Sequence, residues 1–465
     1  MNVERRVTVR ARMCLYAVFA APAVRALLAT AVGLATPAVL HAQGPDSLTL
    51  AEAASLALAR HPAVVAALAR QDAASAGVGV ARAAWLPSLR TEASAIRFQE
   101  PMIVVPLHAF EPGMVPDFAN TLIQGNVAAA WTLYDGGARS ARIRGASALE
   151  DVASGQRASA ERALIAETAR AYLRVRLAEE VLSAQAAQHI ALAEERDRAR
   201  QLLDEGKVAR IAVLRVNAAL ARARADSAAA AVERDAARAD LARLTGVAAA
   251  PAELPASAEV AMADDAAWLS LRARALDASP ELRTARARAA AADAARTEAR
   301  ASYLPRVDLS ARYNEYGSDD GDFVWEWQGG VLVSYPIFTG GARAHQSERA
   351  AAEARAAAAD AAAVALRVTE NVDRAFAAWR SAQARATAFD AALTAQEEVV
   401  RIERLALVEG AGTQTDYLAA EAELLRTRAA LTEASHAAIA ARIEIARITG
   451  ELTPAWLADN LRAGS

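Results

Sequence analysis

The chain has 465 residues, 54% of them hydrophobic and only 5% aromatic, with 52 basic against 55 acidic side chains. That is too apolar for a disordered chain, and a net charge of −3 gives no electrostatic footprint for nucleic acid. Alanine supplies 130 residues and lysine one, Lys207, so lysine-dependent phosphate-loop, kinase and Schiff-base chemistries are close to excluded. Cys14 is the sole cysteine, and the six histidines are scattered without metal-ligand spacing. No metal, cofactor or catalytic constellation is expected. Adjacent pairs such as Glu161-Arg162 read as solvated helix faces rather than acid–base machinery.

Residues 1–42 read as a signal peptide. Arg5, Arg6, Arg10 and Arg12 precede an apolar run whose uncharged part, 26–40, is shorter than a membrane-spanning helix requires. Cleavage after Ala42 fits, and no lipobox cysteine lies near it.

From there the chain is written twice. Trp85-Leu86-Pro87 returns as Tyr303-Leu304-Pro305, and His61-Pro62 as Ser279-Pro280. Leu133-Tyr134-Asp135-Gly136-Gly137-Ala138-Arg139 returns as Ile337-Phe338-Thr339-Gly340-Gly341-Ala342-Arg343, and Leu244-Thr245-Gly246 as Ile448-Thr449-Gly450. The first two landmarks recur at a shift of 218 residues and the last two at 204, so the first copy holds 14 extra residues between them, within 99–120. The organisation expected is a first repeat over 43–246, a linker over 247–266, a second repeat over 267–450 and a tail over 451–465.

In chain order, the first repeat predicts a helix over 48–84, opened by a Thr49/Glu52 capping box and disturbed at His61-Pro62. Extended segments follow at 88–98 and 121–134, then a long helix over 137–204, a turn near 205–210 and a helix over 211–245 capped by Gly246. The second repeat predicts helices at 267–302, 342–408 and 413–449, with strands at 306–316 and 325–337. Val307, Leu309, Ala311 and Tyr313 alternate with Asp308, Ser310, Arg312 and Asn314, giving one apolar and one polar face.

That alternation suits a soluble sheet packed on helices, or a lipid-facing barrel wall. Of 23 aromatic residues, 14 fall within 85–134 and 303–338, which favours the barrel and its interfacial aromatic belts. Four strands cannot close a barrel, and lipid cannot satisfy an open edge, so several chains must share one. Three chains and twelve strands are the simplest count, although two chains are arithmetically open. Residues 137–204 make a helix of about 100 Å, matched in length by the shorter helices laid end to end. A rod-like coiled coil without a pore is the competing reading of these helices taken alone.

At these landmarks the chain resembles the TolC-like outer-membrane efflux family. The matching residues are Leu48-Thr49-Leu50-Ala51-Glu52-Ala53-Ala54, His61-Pro62, 81–89, Leu133-Tyr134-Asp135-Gly136-Gly137 and the second turn, 409–418. The resemblance implies a mainly α protein with a membrane β-barrel. Its long helical hairpins would form a periplasmic tunnel, and four strands per chain would enter a homotrimeric twelve-stranded barrel in the outer membrane. It implies an equatorial belt to which the linker and tail contribute. The function implied is a passive outer-membrane conduit for efflux or type I secretion. Its implied partners are a periplasmic adaptor protein, an inner-membrane transporter such as an RND pump or ABC exporter, and outer-membrane lipid. A non-pore coiled-coil scaffold of the periplasm is the alternative.

The hairpin tips are the implied docking surface: Gly206, Val208 and Leu214 in the first, and Gly410, Thr413 and Leu418 in the second. The glycines also suit a turn with no further role. Asp416 aligns with an aspartate that lines the constricted entrance in some members, and Glu205 and Glu409 would extend an acidic rim. Asp416 equally suits a helix-capping role. Ala419, Leu407 and Gly412 stand where charged or tyrosine residues occur in well-studied relatives, so no gating mechanism carries over.

Overall fold

A computed structural model describes residues 47–104, 113, 118–252, 265–319 and 323–461. The expected signal peptide therefore lies outside the described residues, as do 105–112, 114–117, most of the linker and the last four residues of the tail.

The first repeat runs β1 (Ser47–Leu48), α1 (Leu50–Arg60), α2 (Pro62–Ala83), β2 (Ser88–Ile103), β3 (Phe118–Tyr134), α3 (Ala138–Asp204) and α4 (Arg210–Thr245). After β4 (Ala250–Pro251), the second runs α5 (Asp265–Ala278), α6 (Pro280–Ala301), β5 (Arg306–Gly317), β6 (Val324–Ser334), α7 (Ala342–Val408) and α8 (Gln414–Ile448). A short α9 (Pro454–Asn460) follows. The duplication holds in three dimensions: α3 and α7 both have 67 residues, and α2 and α6 both have 22.

The helix expected over 267–302 is in fact two, broken at Ser279-Pro280 as α1 and α2 are broken at His61-Pro62. Proline has no N–H to donate and restricts the residue before it to extended backbone. The new helix starts there with Pro at its first position. His61 Nδ1 accepts from the Ala63 N–H at 3.3 Å, and Ser279 Oγ accepts from the Leu282 N–H at 3.4 Å. At the start of α1 the expected capping box is present: Thr49 Oγ1 accepts from the Glu52 N–H, and Glu52 Oε2 accepts from the Thr49 N–H at 2.9 Å. Those bonds hold the Glu52 carboxyl below its usual pKa.

The four long strands form one antiparallel sheet in the order β2-β3-β5-β6. β2 and β3 run further than expected, so the insertion at 99–120 is partly strand, with a register irregularity between Arg97 and Met102. β6 stops at Ser334, three residues short of expectation, because Pro336 cannot donate to a ladder. One face carries Val127, Trp131, Leu309, Tyr313, Trp325, Trp327 and Val331, all exposed. That is the apolar face the alternation predicts.

Helix packing uses alanine as spacer. Ala141, Ala148, Ala153, Ala166 and Ala169 are buried along α3, which packs on α2, α4, α6 and α8. Small contact residues let helix backbones approach closely over a long interface. Midway along α3 lies the largest core, joining Leu48, Leu50, Tyr172, Leu241, Ile443, Leu452, Leu457 and Leu461. There β1 pairs in parallel with β4, and the Tyr172 hydroxyl lies 3.0 Å from the Leu48 carbonyl oxygen and 2.7 Å from that of Ala252. Segments from both repeats, from the start of the linker and from the tail thus meet at one level.

Candidate channel entrance and barrel elbows

Each long helix ends in the same turn. In the first tip, Glu205 closes α3, Gly206 adopts φ 75°, and the N–H groups of Gly206 and Lys207 donate back to the carbonyls of Leu203 and Leu202 at 2.9 and 2.8 Å. In the second, Gly410 adopts φ 76°, and Gly410 and Ala411 donate to Leu407 and Ala406 at 3.3 and 2.9 Å. This is the two-bond C-terminal cap that needs a left-handed residue, which glycine supplies without steric cost.

The predicted tip residues separate by what they touch. Glu205, Gly206, Glu409, Gly410, Thr413 and Asp416 are exposed, and Leu214 is 51% exposed, while Val208 is half-buried. Glu205 is held by Lys207, whose Nζ lies 2.7 Å from Oε2. Asp416 accepts from the Thr413 hydroxyl at 2.6 Å, and its N–H donates to Thr413 Oγ1 at 3.2 Å, so Thr413 is the cap of α8 and Asp416 is the first-turn residue it holds. Its carboxylate remains at the exposed tip, where the N-terminal end of the helix favours negative charge. Leu418 is half-buried and packs against Leu192, Val213, Val216, Leu220 and Leu424, so it joins the two hairpins.

Four residues that the sequence reading passed over complete that junction. Gln414 Nε2 donates to Glu195 Oε1 at 2.9 Å, and Arg215 Nη1 donates to Thr415 Oγ1 at 2.7 Å. Glu195 is 5% exposed and also receives Arg198 Nη1 at 3.0 Å. The signal was a charged residue on the apolar stripe Leu192–Glu195–Ala199 of α3, a position that demands a partner. Nearby, burial and then Glu421 push the Tyr417 hydroxyl up to about 12, and that hydroxyl donates to Glu421 Oε1 at 2.9 Å.

At the opposite end of the long helices, β3 turns into α3 through an elbow. Asp135 accepts from the N–H of Gly137 at 3.2 Å and of Arg139 at 2.9 Å, and from Arg139 Nε at 3.1 Å. Arg139 is 4% exposed, donates to the carbonyls of Thr132 and Leu133, and stacks 4.2 Å over Trp85. In the second elbow Thr339 replaces Asp135. Arg343 there donates to the Ile337 carbonyl at 3.2 Å and stacks on Tyr303 and Tyr335. Between the elbows lies a cavity of about 1120 Å³ whose charges are largely paired, Arg142 with Glu298 and Arg306 with Asp308 at 2.7 Å each. Such paired charges make a polar wall.

An amphipathic sheet with two unpaired edge strands, seated on alanine-packed helices of about 100 Å, defines a membrane channel-tunnel. The family model for the outer membrane efflux protein matches residues 53–247 and 271–451, and the chain belongs to that family. It is 30% identical over 336 residues to Protein CyaE of Bordetella pertussis, covering 69% of this chain and 68% of that one. The fold is shared with the CmeC outer membrane channel of Campylobacter jejuni (15% identity, TM-score 0.74, 87% of this chain and 86% of that one). It is shared also with the outer membrane protein VceC of Vibrio cholerae (21% identity, TM-score 0.71, 86% and 96%). The protein is an outer-membrane efflux channel extending into the periplasm, and the scaffold alternative is set aside.

Proposed function

We propose that three copies close one twelve-stranded barrel, and that the conduit is passive and energised through its partners. The observation carrying this reading is the sheet itself: β2 and β6 are its edges, and its outer face is apolar. Backbone groups on those edges find partners in lipid only through another copy of the chain. The exposed tips at Gly206, Val208 and Leu214, and at Gly410 and Thr413, meet a periplasmic adaptor bound to an inner-membrane pump or exporter. Leu418 supports the second tip from behind. Asp416, with Glu409 and Glu205, forms an acidic rim at the entrance that draws cations and slows anions.

Native mass spectrometry of the chain extracted from the outer membrane in detergent tests the assembly. A complex of three chains is the expected result. A monomer released into the soluble fraction would overturn it.

A further inference from the structure

The polar face of the sheet is ordered in levels by its register. Arg90 on β2 pairs with Ala128 on β3, Ala128 with Arg312 on β5, and Arg312 with Gln328 on β6. One level thus holds two arginines and an amide, with a single methyl group between the arginines. Their strands lie about 10 Å apart, twice the spacing of neighbouring strands. Two residues further from the helices, Glu92, Asn126, Asn314 and Glu326 pair in the same way and form an acidic level. Glu326 is fixed there, accepting from Asn314 Nδ2 at 3.2 Å and the Tyr316 hydroxyl at 3.1 Å.

Between and below the arginines the residues are small: Ser88, Ala130, Ser310, Gly329 and Gly330. They leave a cavity of about 640 Å³ on this face, bordered by Arg90, Arg312 and Gln328 and, from the acidic level, by Glu92 and Asn126. Arg90 and Arg312 are exposed, and neither forms an ion pair among the described residues. The acidic level lies about 7 Å away along the strands, inside the screening length of about 8 Å at physiological salt. Its field therefore reaches the arginine level and weakens anion binding there without pairing the arginines.

We infer that the inner wall of the barrel holds a station for multivalent oxyanion groups, bound by Arg90 and Arg312 with Gln328, below an acidic level of Glu92 and Glu326. The inference rests on the barrel reading above, which turns this face toward the pore. Guanidinium groups suit phosphate-like and carboxylate oxygens, which they bind through paired N–H donors. The glutamates repel the same groups one level further out. The anion is therefore held weakly enough to leave, as conduction requires.

The test uses the full-length channel in planar bilayers, with tripolyphosphate added on the barrel side and spermine as the opposite probe. Tripolyphosphate blocks the unmodified channel. Arg90→Gln/Arg312→Gln weakens that block about tenfold, the scale of losing charge-assisted hydrogen bonds, and does not weaken spermine block. Arg90→Lys/Arg312→Lys restores much of it, which separates charge from folding. Glu92→Gln/Glu326→Gln strengthens tripolyphosphate block and weakens that of spermine. Equal tripolyphosphate block with and without the two arginines, in channels of normal conductance, overturns the station alone. An unmodified chain that assembles no conducting pore overturns the barrel reading instead.

Discussion

Gln414 reaches across from one helical hairpin to the other and donates its amide to Glu195 at 2.9 Å, giving a nearly buried carboxylate its second partner. Arg215 and Thr415 repeat the crossing in solvent, and Leu418 fills the space between. Gln414→Ala leaves Glu195 with Arg198 alone and costs about 1–2 kcal/mol locally. Hydrogen exchange should quicken around 192–203 and 414–424 and stay unchanged in the upper half of α3. Unaltered protection at the tip would show that the link carries no weight. Arg215→Ala, at an exposed bond, should change exchange far less.

Asp135→Ala strands a guanidinium that is 4% exposed at the first elbow. Removing one partner of a buried pair typically costs about 3–5 kcal/mol. Arg343→Ala in the second elbow, with no carboxylate partner among the described residues, should cost about 1 kcal/mol through lost carbonyl bonds and stacking. Thermal unfolding of the two variants side by side checks the contrast. Equal shifts in Tm would refute the asymmetry of the elbows.

Gly136 and Gly137 both have positive φ, 67° and 88°, but differ in surroundings. A Cβ on Gly136 would stand 2.8 Å from the Ala301 carbonyl oxygen and from Leu304 Cβ, whereas one on Gly137 meets nothing within 4 Å. Gly137→Ala should cost only the left-handed penalty, about 1–2 kcal/mol. Gly136→Ala should cost more, since backbone has to move. Yield of folded protein and Tm together measure the difference, and equal losses would exclude the close approach.

Burial pushes the Tyr172 hydroxyl up to about 12. Its pKa is thus higher folded than unfolded, where tyrosine titrates near 10. The stabilisation is complete below pH ~10 and is lost as pH rises through about 12. Tyr172→Phe should flatten the fall of Tm between those limits, leaving the part due to Tyr417. At neutral pH the same variant should lose about 1–2 kcal/mol with the hydroxyl's bond to the Leu48 and Ala252 carbonyls. An alkaline profile identical to that of the unmodified chain would count against a buried, protonated Tyr172.

Much of the architecture was legible because it rests on local chemistry written twice. The Gly-Gly elbows, the Gly246 cap, the Thr49/Glu52 box and the paired Leu-Pro landmarks each set a boundary through backbone sterics, and the 342–408 helix was placed to the residue. The break at Ser279-Pro280 was visible as the counterpart of His61-Pro62, yet alanine-rich periodicity on both sides overrode it in the reading. At the tips, the turn glycines were legible because only a left-handed residue closes those helices. Leu418 as an inter-hairpin contact was not, because helix periodicity does not say which neighbouring helix a face meets. Gln414 and Glu195, separated by 219 positions, share no local signal that joins them.

Lys207 sits beyond the first turn with its side chain 66% exposed, leaning on Glu205. As the sole lysine of the chain, it is also its only ε-amine. Amine-directed reagents therefore address a single side chain on a surface otherwise basic only through arginine, and that side chain stands at the turn of the first hairpin. An acyl group placed there would replace a positive charge with bulk beside Glu205 and leave the sheet and helix interfaces untouched.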